Sequence, residues 1–449
     1  MKLNFGCLIN KEGFSGGVDY ETLLSYKDKE EQIKKGVFES DKAMLGWLDS
    51  PYIAIDELND VKRYAKFINE NYTSFVVFGI GGSALGAIAL NSAIGKDRNS
   101  GTKVLVVDNV DPEEFNAMLE KVELSKTMFN VVTKSGSTVE TLSQLSIIIS
   151  ILNKNNLKPS EHICITTEND NALYDFAVTN NIKHFNIEKM VGGRFSVLGN
   201  VGLLPFYVMG GDGEKLLEGA RTLLQESRNL PLENNLPLLS AVINYSLMKD
   251  GKDEIVVFPY SYSLKTMSDF YLQLLGESLG KKNKLNGSEN TLNLTPIKAV
   301  GVTDQHSQMQ LYFEGLNTKI FFIIGQDSFN SEVEVPSLNI GSFNDNVPPT
   351  LGALLNTERD ATMFALYNAN KPCYKLTLEK VDEYEVGKLI MYFFLVTAFM
   401  GELMEINAYD QPGVESGKIN TKALLNNKKF ITQKEELLVV KNACDKYTI

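Results

Sequence analysis

The sequence has few cysteines, and none of them are paired by spacing. Four cysteines are widely separated and form no C-x-x-C motif: Cys7, Cys164, Cys373 and Cys444. Disulfide scaffolds and structural zinc sites both need clustered cysteines, so this spacing argues against either one. It suits a reducing compartment, and we expect a cytoplasmic protein without a metal site.

The sequence also has fewer positively than negatively charged residues. The 44 lysines and arginines are outnumbered by 56 aspartates and glutamates, which gives a formal net charge of -12. Neutralising a nucleic-acid backbone takes clustered lysine and arginine, so no nucleic-acid partner is expected. A small anionic ligand would need only a local positive pocket.

Long uninterrupted apolar runs are lacking as well. The first ten residues do not combine a basic start with a long apolar stretch, so no signal peptide is expected. The most apolar segment, residues 389–404, is interrupted at Gly401-Glu402, well short of the roughly 20 residues that a bilayer needs. We expect a buried core helix there and no membrane association.

Strand-like and helix-like segments alternate along the chain, which is typical of an α/β fold with parallel sheets flanked by helices. Strands are predicted at residues 74–78, 103–108, 128–132, 162–166, 254–258 and 319–324. Helices are predicted at residues 139–152 and 264–279. The second helix carries one buried stripe that includes Met267, Phe270, Tyr271, Leu274 and Ser278.

The middle of the chain contains a predicted domain boundary. Residues 229–237 hold two prolines and an asparagine pair, and 449 residues suffice for two or three domains. We therefore predict a first domain at 51–235 and a second at 236–405. Residues 1–50 would form an N-terminal extension, and residues 406–449 a C-terminal segment packing on the first domain.

Two loops join an apolar strand to a following helix and are rich in glycine or hydroxyl groups. The first is GIGGSALG at 79–86, and the second is TKSGSTVET at 133–141. A strand that turns sharply into a helix leaves unpaired N–H groups and a partial positive charge at the turn, which together bind anions. Two such loops predict one phosphorylated ligand.

The first loop alone also fits another ligand. Gly79-x-Gly81-x-x-Ala84 satisfies the loose dinucleotide fingerprint, and Asp108 ends the next predicted strand near the position of a ribose-binding acid. A nicotinamide oxidoreductase is therefore an alternative, although no constellation for hydride transfer accompanies it. The sequence contains no G-x-x-x-x-G-K-[ST] motif, the phosphate-binding loop of many ATP-hydrolysing enzymes, so it does not indicate ATP hydrolysis.

The second loop favours a monophosphate over a dinucleotide. Its hydroxyls on Ser135, Ser137 and Thr138 and the charge of Lys134 would surround a phosphate from several sides. Ordinary helix capping by these side chains is the remaining alternative for this loop.

Six motifs, in the same order, resemble the glucose-6-phosphate isomerase family. They are the two loops, GGRFSV at 192–197 followed by VGLLP at 201–205, QLLGESLG at 273–280, TDQHS at 303–307, and QPGVE at 411–415 leading to Lys418. The resemblance implies two sugar-isomerase (SIS) type α/β domains and a homodimer with active sites at the interface. It also implies interconversion of glucose 6-phosphate and fructose 6-phosphate, in glycolysis and gluconeogenesis, without metal or cofactor.

The resemblance assigns the proton transfer to Glu277, which would move a proton between C2 and C1 through an enediol. A carboxylate suits this role because it takes and releases a proton near neutral pH when partly desolvated. Gln273 lies one helical turn earlier on the same face and would orient the substrate. Arg194 would stabilise the enediolate oxygens.

The resemblance further implies that His306 and Lys418 open the sugar ring, with His306 reaching the site of the neighbouring subunit. Imidazole suits such proton exchanges because its pKa lies near working pH. Gln411 would line the same pocket. The other two histidines, His162 and His184, match no motif and are expected in packing positions.

The substrate's phosphate end is assigned by resemblance to both loops. The residues concerned are Gly82, Ser83, Thr133, Lys134, Ser135, Ser137 and Thr138. At Ser137, Gly199-Asn200 and Gly276 the chain has residues that are not common in the family. We expect these differences to alter local side-chain packing without loss of activity. A non-catalytic sugar-phosphate-binding regulator would be expected to lack Glu277, His306 or Lys418, and all three are present.

Overall fold

A computed structural model describes residues 1–95, 101–338 and 340–448. The strands are β1 Lys2–Asn4, β2 Ser74–Phe78, β3 Lys103–Val107, β4 Thr127–Val132, β5 Ile163–Thr167, β6 Lys183–Asn186, β7 Glu254–Pro259, β8 Thr295–Lys298, β9 Lys319–Gln326 and β10 Cys373–Leu378. The helices of the first half are α1 Tyr20–Leu24, α2 Glu30–Phe38, α3 Ile55–Asn71, α4 Leu85–Ala93, α5 Pro112–Glu120, α6 Val139–Lys154, α7 Pro159–His162, α8 Ala172–Thr179, α9 Asn200–Val208 and α10 Gly213–Asn229. Those of the second half are α11 Leu236–Lys249, α12 Lys265–Leu279, α13 Met309–Glu314, α14 Leu351–Asn368, α15 Glu383–Leu403, α16 Glu415–Leu424 and α17 Ile431–Asp445.

The first sheet has five parallel strands in the order β3-β2-β4-β5-β6. Parallel strands require crossover connections, and the helices that supply them cover the sheet, so β2, β4 and β5 are buried along their whole length. On one face, alternate residues such as Val76, Phe78 and Phe129 pack against Ile148 of α6 and Phe115 of α5.

The second sheet has the order β1-β10-β9-β7-β8 and is parallel except for β1, which pairs antiparallel with β10. Its core joins Phe258 of β7 and Phe321 of β9 to Met309 of α13 and to Met363 and Leu366 of α14. The predicted α/β fold, with two mainly parallel sheets flanked by helices, is confirmed.

The chain divides into two compact units, residues 1–408, which contain both sheets, and residues 409–449. In the second unit α16 packs on α17. The predicted boundary at 235/236 lies at the start of α11, between the last strand of the first sheet and the first central strand of the second. The four domain ranges stay predictions.

α15 is the apolar helix expected near residues 389–404, and it begins six residues earlier, at Glu383. It is the one helix in the described part of the chain long and apolar enough to cross a membrane, and 89% of its apolar 18-residue stretch is buried in the protein. The ring of Phe393 in α15 stacks on the ring of Tyr271 in α12, with the ring centroids 4.1 Å apart. The prediction of a buried core helix is confirmed.

Two glycines let α10 and α15 approach each other closely. A Cβ added to Gly219 of α10 would lie 1.9 Å from the carbonyl oxygen of Tyr384, and one added to Gly387 of α15 would lie 1.9 Å from that of Leu216. In both cases the obstacle is backbone, which cannot rotate away. The two helix backbones therefore pack together without intervening side chains.

Gly387→Ala is accordingly expected to destabilise the protein by about 1–3 kcal/mol, because the helices must separate to admit the methyl group. The measurement is the midpoint of thermal unfolding. The matched control is Gly276→Ala in α12, where an added Cβ meets nothing within 4 Å and alanine is the better helix former. Equal midpoints for the two variants would contradict the close crossing.

Candidate active site

The first loop leaves the end of β2 and turns through a short 3-10 segment, Gly81–Ser83, into α4. Gly81 has a φ of 57°, a left-handed conformation that favours glycine. The residue that precedes α4 is Ala84, which has no side-chain oxygen to cap the helix. The first N–H groups of α4 therefore receive no side-chain cap.

The second loop leaves β4 and enters α6 at Thr138. The Thr138 hydroxyl does not cap α6; its Oγ1 lies 2.7 Å from Oγ1 of Thr133, in a hydrogen bond across the loop. Similarly, Oγ of Ser135 lies 3.0 Å from Oγ of Ser137. The hydroxyls thus bond to one another across the loop, and the capping alternative does not hold for Thr138.

The two loops are neighbours because β2 and β4 are adjacent parallel strands. Phe78 at the end of β2 is in register with Val131 of β4, so both loops emerge at the same edge of the sheet. Each leads into a helix whose start has no side-chain cap. Two uncapped helix N-termini and a set of hydroxyls side by side are suited to an anion.

Lys134 brings a positive charge to the second loop. Its Nζ donates to the carbonyl oxygen of Lys189 at 2.7 Å. Burial lowers the pKa of Lys134 from its usual value, and the carboxylates of Glu168 and Glu188 oppose that shift.

Asn171 supports the second loop and was not found from the sequence. Its Nδ2 donates to the Lys134 carbonyl at 3.2 Å, while its Oδ1 caps α8. A Cβ on Gly136, whose φ is 62°, would lie 2.4 Å from that Oδ1. The asparagine therefore holds the loop against the start of α8.

Glu277 lies on α12 between two partners. Its Oε1 accepts from Nε2 of Gln273 at 2.9 Å, and its Oε2 lies 3.4 Å from Nη1 of Arg194. The side chain of Glu277 is 27% exposed, whereas that of Arg194 is 2% exposed. The sequence-predicted trio is thus brought together, with the carboxylate still reachable from solvent.

Further hydrogen bonds fix the guanidinium of Arg194. Its Nε donates to Oγ of Ser278 at 2.8 Å, and its Nη2 donates to the carbonyl oxygen of Ala408 at 2.7 Å. Ser278 was predicted only as part of the buried stripe of α12, and its bond to Arg194 was missed. The clue in the sequence was a small polar residue among large, mainly apolar ones, one residue after Glu277.

The first loop touches this group directly. A Cβ on Gly82 would lie 2.4 Å from the carbonyl carbon of Gly193 and 2.6 Å from the backbone nitrogen of Arg194. One on Gly81 would lie 2.9 Å from Nε2 of Gln273. The absence of side chains at both positions lets the loop lie against α12 and against the 3-10 segment Gly193–Leu198, here named the Arg194 turn.

The remaining predicted residues are Ser83, His306, Gln411 and Lys418, and each has its own local contacts. Ser83 ends the 3-10 turn of the first loop, and its N–H donates to the carbonyl of Ile80. His306 is exposed at the end of the 3-10 segment Thr303–His306, and its imidazole has no hydrogen-bond or ion-pair partner among the described residues. In the second compact unit, Gln411 precedes α16, and Lys418 on that helix donates to Oε1 of Glu415 at 2.7 Å.

The two remaining histidines have packing contacts, as predicted. His162 is 6% exposed, with Nδ1 3.0 Å from the carbonyl oxygen of Thr127. The ring of His184 meets that of Tyr174 edge-on, with centroids 4.9 Å apart. Among the described residues, no group of three or more histidines, cysteines, aspartates or glutamates is arranged to hold a metal ion.

Residues 63–436 match the family model described as phosphoglucose isomerase. The chain belongs to the phosphoglucose isomerase family. It is 40% identical over 431 residues to the glucose-6-phosphate isomerase of Carboxydothermus hydrogenoformans, covering 93% of this chain and 91% of that one. It is 38% identical over 387 residues to an enzyme of that name from Thermus thermophilus, covering 85% of this chain and 90% of the relative.

Solved structures share the fold of the chain. A hypothetical protein of Thermus thermophilus superposes with a TM-score of 0.86 at 35% identity, over 94% of this chain and 99% of that one. A glucose-6-phosphate isomerase of Chlamydia trachomatis shares the fold, with a TM-score of 0.82 at 22% identity, over 94% of this chain and 88% of that one. The phosphoglucose isomerase fold therefore extends over nearly the whole chain.

Proposed function

We propose that this chain interconverts glucose 6-phosphate and fructose 6-phosphate by opening the sugar ring and moving a proton between C2 and C1 through an enediol. The observation that carries the proposal is the position of the Glu277 carboxylate, held by Gln273 and Arg194 and still partly exposed. Family membership supplies the substrate, because relatives 31–40% identical are named glucose-6-phosphate isomerase.

The two loops hold the phosphate. Uncapped N–H groups at the starts of α4 and α6 would donate to its oxygens, together with the hydroxyls of Ser83, Ser135, Ser137 and Thr138. Thr133 keeps Thr138 in place through their mutual hydrogen bond. The charge of Lys134 adds attraction for the dianion. Gly82 lets the first loop lie directly against the Arg194 turn, which keeps the phosphate-binding loop next to the residues that surround Glu277.

Glu277 carries the proton. With the ring open, the carboxylate removes the proton from C2 of glucose 6-phosphate, the C2 electrons form the C1=C2 double bond, and the C1 carbonyl oxygen becomes the enediolate oxygen. The C2 hydroxyl then gives its proton to O1, and return of the carbon-bound proton from Glu277 to C1, with formation of the C2=O double bond, gives fructose 6-phosphate. The guanidinium of Arg194 stabilises the negative oxygen, because its charge is fixed in a site closed to water on that side. Gln273 orients the carboxylate through its amide.

Ring opening needs an acid and a base near the ring oxygen and its hydroxyl, and His306 and Lys418 supply them. The exposure of His306 supports its donation to the site of a second copy of the chain, in a homodimer. Gln411 lines the pocket beside Lys418. The proposed steps use no redox cofactor, because proton transfer moves no net electrons into or out of the substrate, and Arg194 supplies the positive charge beside the enediolate.

The cytoplasm is the proposed location. All four cysteines are free thiols, with Cys164 and Cys373 buried, which suits a reducing compartment. Glycolysis and gluconeogenesis are the corresponding pathways for this reaction.

The activity is tested by incubating the purified protein with fructose 6-phosphate and measuring glucose 6-phosphate, and by the reverse assay, each with and without a chelator of divalent cations. We expect conversion in both directions and equal rates with the chelator. Absence of conversion in either direction, by a folded protein, would overturn the proposal.

Ser135→Ala is expected to weaken phosphate binding by about tenfold, because one hydrogen bond to a charged group contributes about 1.5 kcal/mol at an exposed site. The measurement is the inhibition constant of inorganic phosphate against the isomerase reaction, with kcat recorded alongside. The control is Ser143→Ala, further along α6, where the hydroxyl donates only to the Val139 carbonyl of its own helix. A change in kcat with unaltered phosphate binding would contradict the assigned role.

A further inference from the structure

The direction of the His306 ring depends on the backbone that carries it. The side chain is exposed, and among the described residues its imidazole has no hydrogen-bond or ion-pair partner. The backbone around it is the 3-10 segment Thr303–His306. A single turn of 3-10 helix is not stable by itself. Side-chain contacts must therefore hold this turn in one conformation.

The carboxylate of Asp304 joins the two ends of the turn. Its Oδ1 accepts from Oγ of Ser307 at 2.7 Å, and Ser307 directly follows His306. Its Oδ2 accepts from the backbone N–H of Val300 at 2.7 Å, and the N–H of Asp304 donates to the Val300 carbonyl oxygen at 2.8 Å. One side chain thus connects the residue beside His306 to the segment that precedes the turn.

The segments on both sides of the turn are anchored in the fold. Ala299 is fully buried, and its N–H donates to the carbonyl oxygen of Val257 in β7 at 3.1 Å. On the other side, the N–H of Gln308, which precedes α13, donates to the Asp304 carbonyl oxygen at 3.0 Å. Nε2 of Gln308 lies 3.5 Å from the carbonyl oxygen of Lys298, at the end of β8. Asp304 therefore ties the turn to a rigid frame.

Asp304 is ionised in this position. Burial favours its neutral form, but hydrogen bonds from Ser307, from the Val300 N–H and from Gln308 outweigh burial and lower the pKa of Asp304. An ionised carboxylate only accepts hydrogen bonds, and bonds to a charged acceptor are about twice as strong as neutral ones. Both carboxylate oxygens therefore keep their donors at neutral pH.

We propose that Asp304 is a positioning residue for ring opening, which fixes the turn that presents His306 and does not itself contact the substrate. The inference rests on the proposed function, in which His306 takes part in opening the sugar ring. Displacing a reacting group by about 1 Å is enough to slow a step by about 10²-fold. Loss of the Asp304 carboxylate should therefore impair ring opening, whereas proton transfer by Glu277 on α12 continues.

Two ketose phosphates separate ring opening from proton transfer. Fructose 6-phosphate is mainly cyclic and must be opened. 5-Deoxyfructose 6-phosphate lacks the hydroxyl that closes the ring, and its terminal oxygen carries the phosphate, so it stays an open-chain ketone. Aldose formation from each compound is measured by nuclear magnetic resonance, and kcat/KM for fructose 6-phosphate is divided by kcat/KM for the deoxy compound. This ratio falls when ring opening is impaired, and a general loss of folded enzyme leaves it unaltered.

Asp304→Ala should lower the ratio by about tenfold or more. Ser307→Ala, which removes only one of the two links, should lower it in the same direction. The matched control is Asp212→Ala, because Asp212 is also half-buried and its Oδ1 accepts from the N–H of Lys215 at 3.1 Å, at the start of α10. This control should lower the midpoint of thermal unfolding and leave the ratio unaltered.

His306→Ala is measured in parallel, so that the inference and the proposed function can be judged separately. If His306→Ala lowers the ratio and folded Asp304→Ala does not, only the inference about Asp304 is overturned. If Asp304→Ala does not fold, an unaltered ratio in Ser307→Ala overturns the inference in its place. An unaltered ratio in folded His306→Ala overturns both the inference and the proposed role of His306 in ring opening.

Discussion

Glu277→Gln should lower kcat by about 10²- to 10⁴-fold in both directions, the usual contribution of a positioned general base. The amide keeps the shape of the carboxylate and its hydrogen-bond distance to Gln273 of 2.9 Å, but it cannot accept the proton from C2. The measurement is steady-state kinetics with each sugar phosphate. KM should change far less than kcat, because the phosphate loops are untouched.

The matched control is Glu314→Gln on α13. There Nε2 of Gln310 donates to Oε2 of Glu314 at 2.8 Å, the same spacing of four residues along a helix, at an exposed position. This variant should retain the kcat of the unaltered protein. Equal activity in Glu277→Gln and Glu314→Gln would contradict the assignment of the base.

Arg194→Lys should lower kcat by about 10²- to 10³-fold, comparable with the loss of one oxyanion donor. The guanidinium contacts the Ser278 hydroxyl, the Ala408 carbonyl and the Glu277 carboxylate at the same time. A lysine ammonium is a point charge without the planar fork, so it cannot hold all three and still face the substrate. Steady-state kinetics give the effect on the reaction.

A loss of stability must be separated from a loss of chemistry, because Arg194 is 3% exposed. Arg359→Lys provides the comparison, since Arg359 is 6% exposed and its guanidinium also binds several groups, on Asp360 and Asn356. Both variants should lower the midpoint of thermal unfolding, and only Arg194→Lys should lower kcat. Similar kcat values in the two variants would mean that Arg194 has only a structural role.

Most inner strands of the two sheets were predictable from sequence, and most edge strands were not. The exception among the edge strands is β3, predicted at 103–108 and observed at Lys103–Val107. β2 was predicted with its observed limits, and β7 and β9 within two residues, because strands buried on both faces are continuous apolar runs. The missed strands β1, β6 and β8 lie at sheet edges. They are short and polar, as in the sequence KHFN of β6, so they lack that signal. β10, next to edge strand β1, alternates apolar residues with lysine and threonine and was also missed.

The parts of the site that depend on local sequence were predictable, namely the two loops and the pair of side chains on α12. The loops follow strands and precede helices, and the four-residue spacing of Gln273 and Glu277 places both on one face of α12. The supports of these residues come from distant parts of the chain and have no local signal. Asn171 lies 35 residues beyond Gly136, and Ala408 lies more than two hundred residues beyond Arg194. Such contacts exist only after the tertiary structure has formed.

Solvent deuterium uptake tests most directly whether Glu277 carries the proton between C2 and C1. The protein is incubated with fructose 6-phosphate in heavy water, and deuterium at C2 of the glucose 6-phosphate formed is measured for the unaltered chain and for Glu277→Gln. The expected result is deuterium at C2 with the unaltered chain, with both conversion and labelling largely lost in Glu277→Gln. Conversion and labelling at undiminished rates in Glu277→Gln would show that another group moves the proton.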